Sequence, residues 1–406
     1  METAMNKARK SAPLLLALAG TVAALVPQCL MRGSQAAYMF FYDKLTTYPG
    51  DLWNFFANYL AHGLRYPPEY PAGLRFVYEA AGLYRIHSYE AFFALNAAVI
   101  GAFAVATTWL LYLILRERAR REGGRIEASR LWLFWILAPS FLFYAVYNYD
   151  IPVVFLAVLG VFFALKGRPY GAVTALAAGT VVKVFPIFIL PALIWMSPRH
   201  RRLPLAALFI AIVVALNLPY ALTDFHSWIY PYVWQISSNL TTSPAQGTYW
   251  WILYPLTGKL TGWVSLGALG ALYLAALWGM SGRRWPAEGG SDRAFLGAAL
   301  IGISLFLLTD RIYSPQYDLY LLPFLVLSPF VVDKRLFYAV EIPNLLLVLL
   351  LFYLREHYVA LQMLSFIRYA ALAGLSVKMY RDTKGNLCQR EYGSSGPALE
   401  GTRSRL

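Results

Sequence analysis

The sequence predicts an all-α bundle that crosses a lipid bilayer about 10 to 12 times, and three observations predict it. Hydrophobic residues make up 59% of the 406 and charged residues 14%, against roughly 25% charged in an ordinary soluble domain. Apolar runs near the ~20 residues needed to cross the hydrocarbon core recur along almost the whole chain. Basic residues gather in alternate connections, the asymmetry that sets orientation in a membrane.

The first apolar run, 12–31, follows Lys7, Arg9 and Lys10. Its apolar core is long for a cleaved leader, so retention as a helix is expected. The segment 32–90, read as the first extracytoplasmic loop, is long for a connection with no structure of its own. Within it, 52–64 and 74–86 carry aromatic and aliphatic residues at helical spacing, the pattern of helices lying in the interface. Tyr66-Pro67-Pro68-Glu69-Tyr70-Pro71 separates them, because proline lacks an amide donor and fixes φ. Further spans are expected at 91–115, 131–147, 151–165, 172–182, 187–196, 203–222, 263–280, 294–308, 319–332, 336–353 and 359–377. Residues 1–377 read as one domain, and 378–406 as a polar cytoplasmic tail expected to be disordered around Gly393-Ser394-Ser395-Gly396-Pro397.

With the N-terminus cytoplasmic, the cluster 116–130, Lys166 and Arg168, the run Arg199-His200-Arg201-Arg202, Lys334 and Arg335, and the tail all fall on the inner side. That places both termini in the cytoplasm of a multi-pass cell-membrane protein. The net charge of +14 follows from this topology, so it calls for no nucleic-acid partner. Cys29 and Cys388 lie on opposite sides of the bilayer and form no disulfide in this arrangement, and no metal-type Cys/His spacing appears.

The stretch between Arg168 and Arg199 returns to the side it left, yet is too short for two full crossings. Two short helices or a re-entrant hairpin are expected, with Val182-Lys183-Val184-Phe185-Pro186 near the tip. A lysine at such depth costs roughly 2.5–3.5 kcal/mol on insertion scales. It therefore faces a cavity or a partner, an anionic ligand being the obvious one, or else snorkels to the interface.

The remaining informative residues fall in outer connections. Asp51 follows Pro49-Gly50 and opens a helical pattern, which suits an N-cap and equally suits a fixed proton acceptor beside flat aromatic rings. Asp43 is the rival base, or a solvated loop residue. Glu69 reads as an acceptor-binding carboxylate or as a partner of Arg65. Asp150, after Tyr149, either caps the next helix or binds substrate. In Asp310-Arg311-Ile312-Tyr313-Ser314-Pro315-Gln316-Tyr317-Asp318, Arg311 offers a two-pronged grip on phosphate or a pair with Asp310. Ser314, Gln316 and Tyr317 offer neutral hydrogen bonds.

Four pieces in this order carry a resemblance: Asp51 with the Tyr66 to Pro71 segment; Tyr149-Asp150; Lys183 to Pro186; and Arg311 with Ser314-Pro315-Gln316-Tyr317. Over roughly residues 12–330 the chain resembles the polyprenyl-phosphate-sugar-dependent transferases of the GT-C class, most closely glycosyltransferase family 87, a largely prokaryotic mannosyltransferase group. The resemblance implies a GT-C-like bundle that transfers a hexose, mannose being favoured, with inversion from a polyprenyl-phosphate donor to a glycolipid or glycan at the extracytoplasmic face. It makes Asp51 the base, with Asp43 the runner-up, and gives the donor phosphate to Lys183 and Arg311. Tyr66, Glu69, Tyr149, Asp150, Ser314, Gln316 and Tyr317 become substrate-binding candidates. No metal or other cofactor is expected, because protein cations meet the leaving phosphate. Membrane lipids, donor and acceptor are the expected partners. The chain departs from the family pattern in its compressed Tyr-Pro-Pro-Glu-Tyr-Pro run and in the loop 235–249, which lacks a basic residue before serine. The rival class is a transporter or lipid flippase built around Lys183 and the outer carboxylates, although no internal repeat of the kind common in transporters is visible; a membrane scaffold is the third reading.

General-base assistance is worth about 10²- to 10⁴-fold. Asp51→Asn is accordingly expected to lower in vitro transfer at least about a hundredfold while the protein stays inserted. Near-normal turnover in that variant would move the base to Asp43.

Overall fold

The computed structural model describes residues 2–33, 52, 55–56, 70–80, 82–237, 248–280, 292–351 and 358–393, and among these the backbone is helical with no strand. Six stretches within it are long and apolar enough to cross a bilayer: Ser11–Leu30, Tyr89–Glu122, Arg199–Thr223, Thr261–Met280, Asp292–Thr309 and Val359–Gly385. The chain is an all-α polytopic membrane protein. Shorter and broken helices fill the space between the long ones, and these build the site.

Helix α1 (Glu2–Gly33) packs along α3 (Tyr89–Glu122). Their contact is tied by Thr21 and Thr108, whose hydroxyls lie 2.9 Å apart, polar glue of the kind that joins helices in lipid. Between them in sequence, α2 (Ala72–Ala80) and a tight turn at Leu83–Arg85 replace the single interfacial helix expected over 74–86. Gly82, at φ 64°, divides the two, a left-handed conformation that favours glycine. Leu52, Phe55 and Phe56 are helical and buried; the rest of 52–64 lies outside the described residues.

The run 131–147 is not one span. It divides into α4 (Ala128–Leu131), a wider π-type turn at Trp132–Ile136 and α5 (Pro139–Tyr144). Proline at 139 has no amide to continue the preceding helix. Buried Gln28 of α1 clips the break, donating to the Phe141 carbonyl at 3.1 Å and accepting from the Val146 amide at 2.9 Å.

Next come α6 (Asp150–Leu165) and α7 (Pro169–Val182), an antiparallel pair. Gly167 at φ 68° makes the turn. Gly160 lets the helices approach, since a Cβ there would lie 2.9 Å from the Leu176 side chain. At 16 and 14 residues they reach about 24 and 21 Å, short of the ~30 Å hydrocarbon core. A 3-10 turn (Phe185–Ile189) and α8 (Leu190–Met196) follow, so of the two expected arrangements the stretch holds two short helices, with Lys183 at the break between them.

Helix α9 (Arg199–Thr223) and the bent continuation α10 (Phe225–Ser237) lead to α11 (Trp250–Thr257) and α12 (Thr261–Met280). Leu203, Ile210, Leu274 and Trp278 are exposed on α9 and α12, as suits helices that face hydrocarbon. Helix α13 (Asp292–Thr309) is largely buried and ends under side-chain donors: Tyr249 Oη reaches the Leu308 carbonyl at 2.9 Å, and Trp250 Nε1 the Thr309 carbonyl at 2.8 Å. The run 319–332 shortens to α14 (Asp318–Val326). Arg118 donates to the Leu327 carbonyl at 2.8 Å and Arg130 to that of Ser328, taking the carbonyls that the helix would otherwise have used.

Two antiparallel helices close the bundle, α15 (Lys334–Leu351) and α16 (Tyr358–Gly393). The latter continues through 378–393, where composition predicts a disordered tail. Met379 and Thr383 explain the difference: both are buried at 1%, and Thr383 fits against Gly297 of α13. The polar composition of the segment hides this one packed face.

Gly73 has no room for a side chain. A Cβ there would lie 2.8 Å from the Val181 carbonyl carbon and 2.9 Å from the Val182 nitrogen, and backbone atoms cannot swing aside. Gly73→Val is therefore expected to destabilise the protein by about 1–3 kcal/mol, read as a lower melting temperature in detergent. Gly124→Ala, whose Cβ meets nothing within 4 Å, serves as the neutral control; equal melting of the two would discredit this packing.

Candidate functional site

The site begins with a helix that stops. Pro186 lacks the amide that would bond the Val182 carbonyl four residues back, so α7 ends there. Lys183 takes an extended conformation at φ −153°, ψ 138°. The orphaned backbone beyond is satisfied from elsewhere, with Tyr273 Oη donating to the Phe188 carbonyl at 2.7 Å. Phe188 also stacks on Phe306 of α13 at 4.4 Å.

Asp150, the first residue of α6, stands across from this tip. It lies 17 residues before Gly167 and Lys183 lies 16 after it, so two antiparallel helices joined at that turn bring the two to one level. Lys183 Nζ pairs with Asp150 Oδ1, and Tyr320 Oη of α14 donates to the same oxygen. Asp150 Oδ2 is buried with no hydrogen-bond partner. The carboxylate thus turns to the lysine instead of capping α6. Asn148 does the local work, accepting from the Asp150 amide at 3.0 Å.

Aromatic rings wall the cation. Lys183 Nζ is 5.1 Å from the ring centre of Tyr70, 5.5 Å from that of Tyr317 and 5.9 Å from that of Tyr320, within the reach of a cation–π attraction. Phe185 stacks on Tyr320 at 3.9 Å, and Tyr317 on Tyr320 at 5.1 Å. The lysine side chain is 14% exposed and that of Asp150 0%. A solute therefore meets the cation first, with the carboxylate behind it.

Tyr149 lies one layer deeper. Its hydroxyl bonds Tyr78 at 3.0 Å and also Asn96, and its ring stacks on Phe55. It braces the first loop against α3. In the loop after α13, the Ser314 hydroxyl donates to Gln316 Oε1 at 2.6 Å, and both residues are half-buried beside Tyr317. Arg311 is 3% exposed, and its carbonyl accepts from Thr248 at 3.3 Å. Burial pushes the Arg311 guanidinium down, and neighbouring Asp310 offsets this in part. Burial also lifts the Asp310 carboxyl to about 6, against the Ile312 amide and Arg311, which favour its charged form.

Of the sequence candidates, Asp150 and Lys183 pair directly and Tyr317 lies over Lys183, while Ser314, Gln316 and Arg311 belong to the same loop as Tyr317. Asp43, Asp51, Tyr66 and Glu69 lie outside the described residues. Tyr320 and Tyr70 escaped the sequence reading as site residues. For Tyr320 a signal existed, since it sits one helical turn after Tyr317. The equal spacing of Asp150 and Lys183 about Gly167 also announces their pairing.

Removing one partner of a buried pair typically costs about 3–5 kcal/mol, because it strands the other charge. Lys183→Met and Asp150→Asn are each expected to lower the stability of the purified protein, and the double variant to regain much of the loss, on thermal or denaturant unfolding. Additive losses in the double variant would dissolve the pair.

No curated protein and no solved structure matches the chain. The model of glycosyltransferase family 87 matches residues 80–309, more than half of the sequence, and spans both Asp150 and Lys183. With an all-helical membrane bundle around that stretch, the chain belongs to glycosyltransferase family 87.

Proposed function

We propose that this glycosyltransferase moves a hexose, mannose being favoured, from a polyprenyl-phosphate donor to a hydroxyl of a glycolipid or glycan, with inversion, at the extracytoplasmic border of the cell membrane. One observation carries the reading: Lys183, ringed by Tyr70, Tyr317 and Tyr320, offers a partly exposed cation at the tip of two helices too short to span the bilayer. A lipid-linked phosphate needs such a cation near the membrane surface, and a sugar needs flat apolar walls.

The chemistry is a direct displacement. The acceptor oxygen attacks the anomeric carbon as the bond from that carbon to the phosphate oxygen breaks. Polyprenyl phosphate leaves, and the acceptor proton passes to Asp51 as general base, with Asp43 the runner-up. Lys183 and Arg311 receive the charge that grows on the phosphate, so the mechanism calls on no metal. Tyr66, Glu69, Tyr149, Asp150, Ser314, Gln316 and Tyr317 would shape the pocket, Tyr149 by bracing it. Both termini then face the cytoplasm.

Purified protein in detergent, given a labelled polyprenyl-phosphate sugar and an acceptor extract, is expected to release polyprenyl phosphate. In the charge-balanced Lys183→Met/Asp150→Asn background the release should fall about a hundredfold, the usual cost of one donor to a developing oxyanion. Sugar movement across vesicles with no polyprenyl phosphate released would favour the transporter instead.

A further inference from the structure

Arg368 is a charge buried inside the bundle. It lies ten residues into α16, about 15 Å from the start of that helix, and is 0% exposed. One terminal nitrogen donates to Asn344 Oδ1 at 2.6 Å, and the other donates to the Tyr313 carbonyl at 3.1 Å. The guanidinium lies 3.8 Å from the centre of the Tyr313 ring. Asn344 of α15 in turn donates to the Pro315 carbonyl at 2.7 Å and to Ser140 Oγ at 3.1 Å. Glu341 accepts from the Ser140 amide and hydroxyl at 2.8 and 3.1 Å, and Tyr313 Oη donates to Asp318.

An arginine inside a spanning helix is costly, and packed apolar side chains often replace a buried charge cluster with no loss of stability. Stability alone therefore accounts poorly for Arg368. Its bonds converge on one target, the backbone of the loop between α13 and α14, held at Tyr313 directly and at Pro315 through Asn344. Two residues beyond Pro315 is Tyr317, whose ring lies over Lys183.

We infer that Arg368, acting with Asn344, is a positioning residue for the donor side of the site. It sets where the Tyr317 ring stands over Lys183 and touches no substrate itself. The inference rests on the proposed transfer from a polyprenyl-phosphate sugar. It predicts a defect in donor binding, leaving acceptor binding and the chemical step alone.

The test is steady-state kinetics on full-length protein in detergent, with a polyprenyl-phosphate sugar as the varied substrate. Arg368→Lys keeps the charge but not the fork, and Asn344→Leu removes the bond to Pro315. Each is expected to raise donor KM about tenfold or more with kcat within about threefold, the signature of lost binding without lost catalysis. Ser365→Ala removes a buried hydroxyl of the same helix as Arg368 that bonds the Leu361 carbonyl at 2.9 Å, away from the loop, and should leave donor KM unchanged. Where Arg368→Lys is not recovered folded, Asn344→Leu decides the matter. An unchanged donor KM in Asn344→Leu, or an equal shift in Ser365→Ala, overturns the inference. Wild-type protein that releases no polyprenyl phosphate would instead refute the reaction beneath it.

Discussion

The ion pair between Lys183 and Asp150 is the contact on which the rest of the arrangement depends. Each group alone would be expensive to bury in this bundle, and the pair brings together segments far apart in the chain. Asp150 follows the broken stretch clipped by Gln28, and Lys183 ends α7. Tyr320 comes from α14, and Tyr70 from the loop after α1. Gly73 then seats α2 directly on the backbone of Val181 and Val182, next to the tip. The helix break at Pro186 is what makes this possible. A lysine inside a continuous α7 would project sideways from the helix, whereas an extended residue at its end reaches into the space that Asp150 and the rings enclose.

Under the proposed reaction, a lysine already paired is better placed than a free one. A donor phosphodiester bears a single negative charge, and the departing phosphate monoester gathers more. Asp150 competes for the lysine throughout, so the share of Lys183 given to the phosphate increases as charge develops. Interactions that strengthen toward the transition state raise turnover, while those equal in both states only tighten binding. Tyr320, bonded to the same carboxylate oxygen, keeps Asp150 partly satisfied as the lysine moves.

The parts of the fold that were legible in the sequence are those governed by composition and by the length of apolar runs. The long helices fall where hydropathy puts them, and the break between two short helices at Lys183 follows from counting residues between two basic turns. Reading failed where a continuous apolar run conceals a break: Pro139 divides 131–147, and Arg118 and Arg130 take carbonyls near the end of α14. Hydropathy sees side chains, whereas these breaks are matters of backbone hydrogen bonds met by distant partners. The site divides in the same way. Lys183, Asp150 and Tyr317 stood out as polar groups near breaks, yet their pairing required knowing that α6 and α7 are antiparallel and nearly equal in length. Arg368 lay inside an otherwise apolar run, a signal in its own right, but nothing local to it points to the loop it helps to hold.

Those two charged systems meet on a single turn of α14. Asp318 and Tyr320 are two residues apart, hence about 200° around the helix, and they engage opposite partners. Asp318 faces Tyr313 and the Arg368 network, while Tyr320 faces Asp150 and the lysine. Helix α14 is only nine residues long and buried along its whole length, so it has little freedom to tilt without breaking one set of bonds or the other. A short buried helix clasped on both faces passes a displacement from one side to the other, because close-packed interiors have few voids to absorb it. The arrangement of α15 and α16, far from Lys183 in sequence, thereby bears on where the tyrosines around that lysine stand.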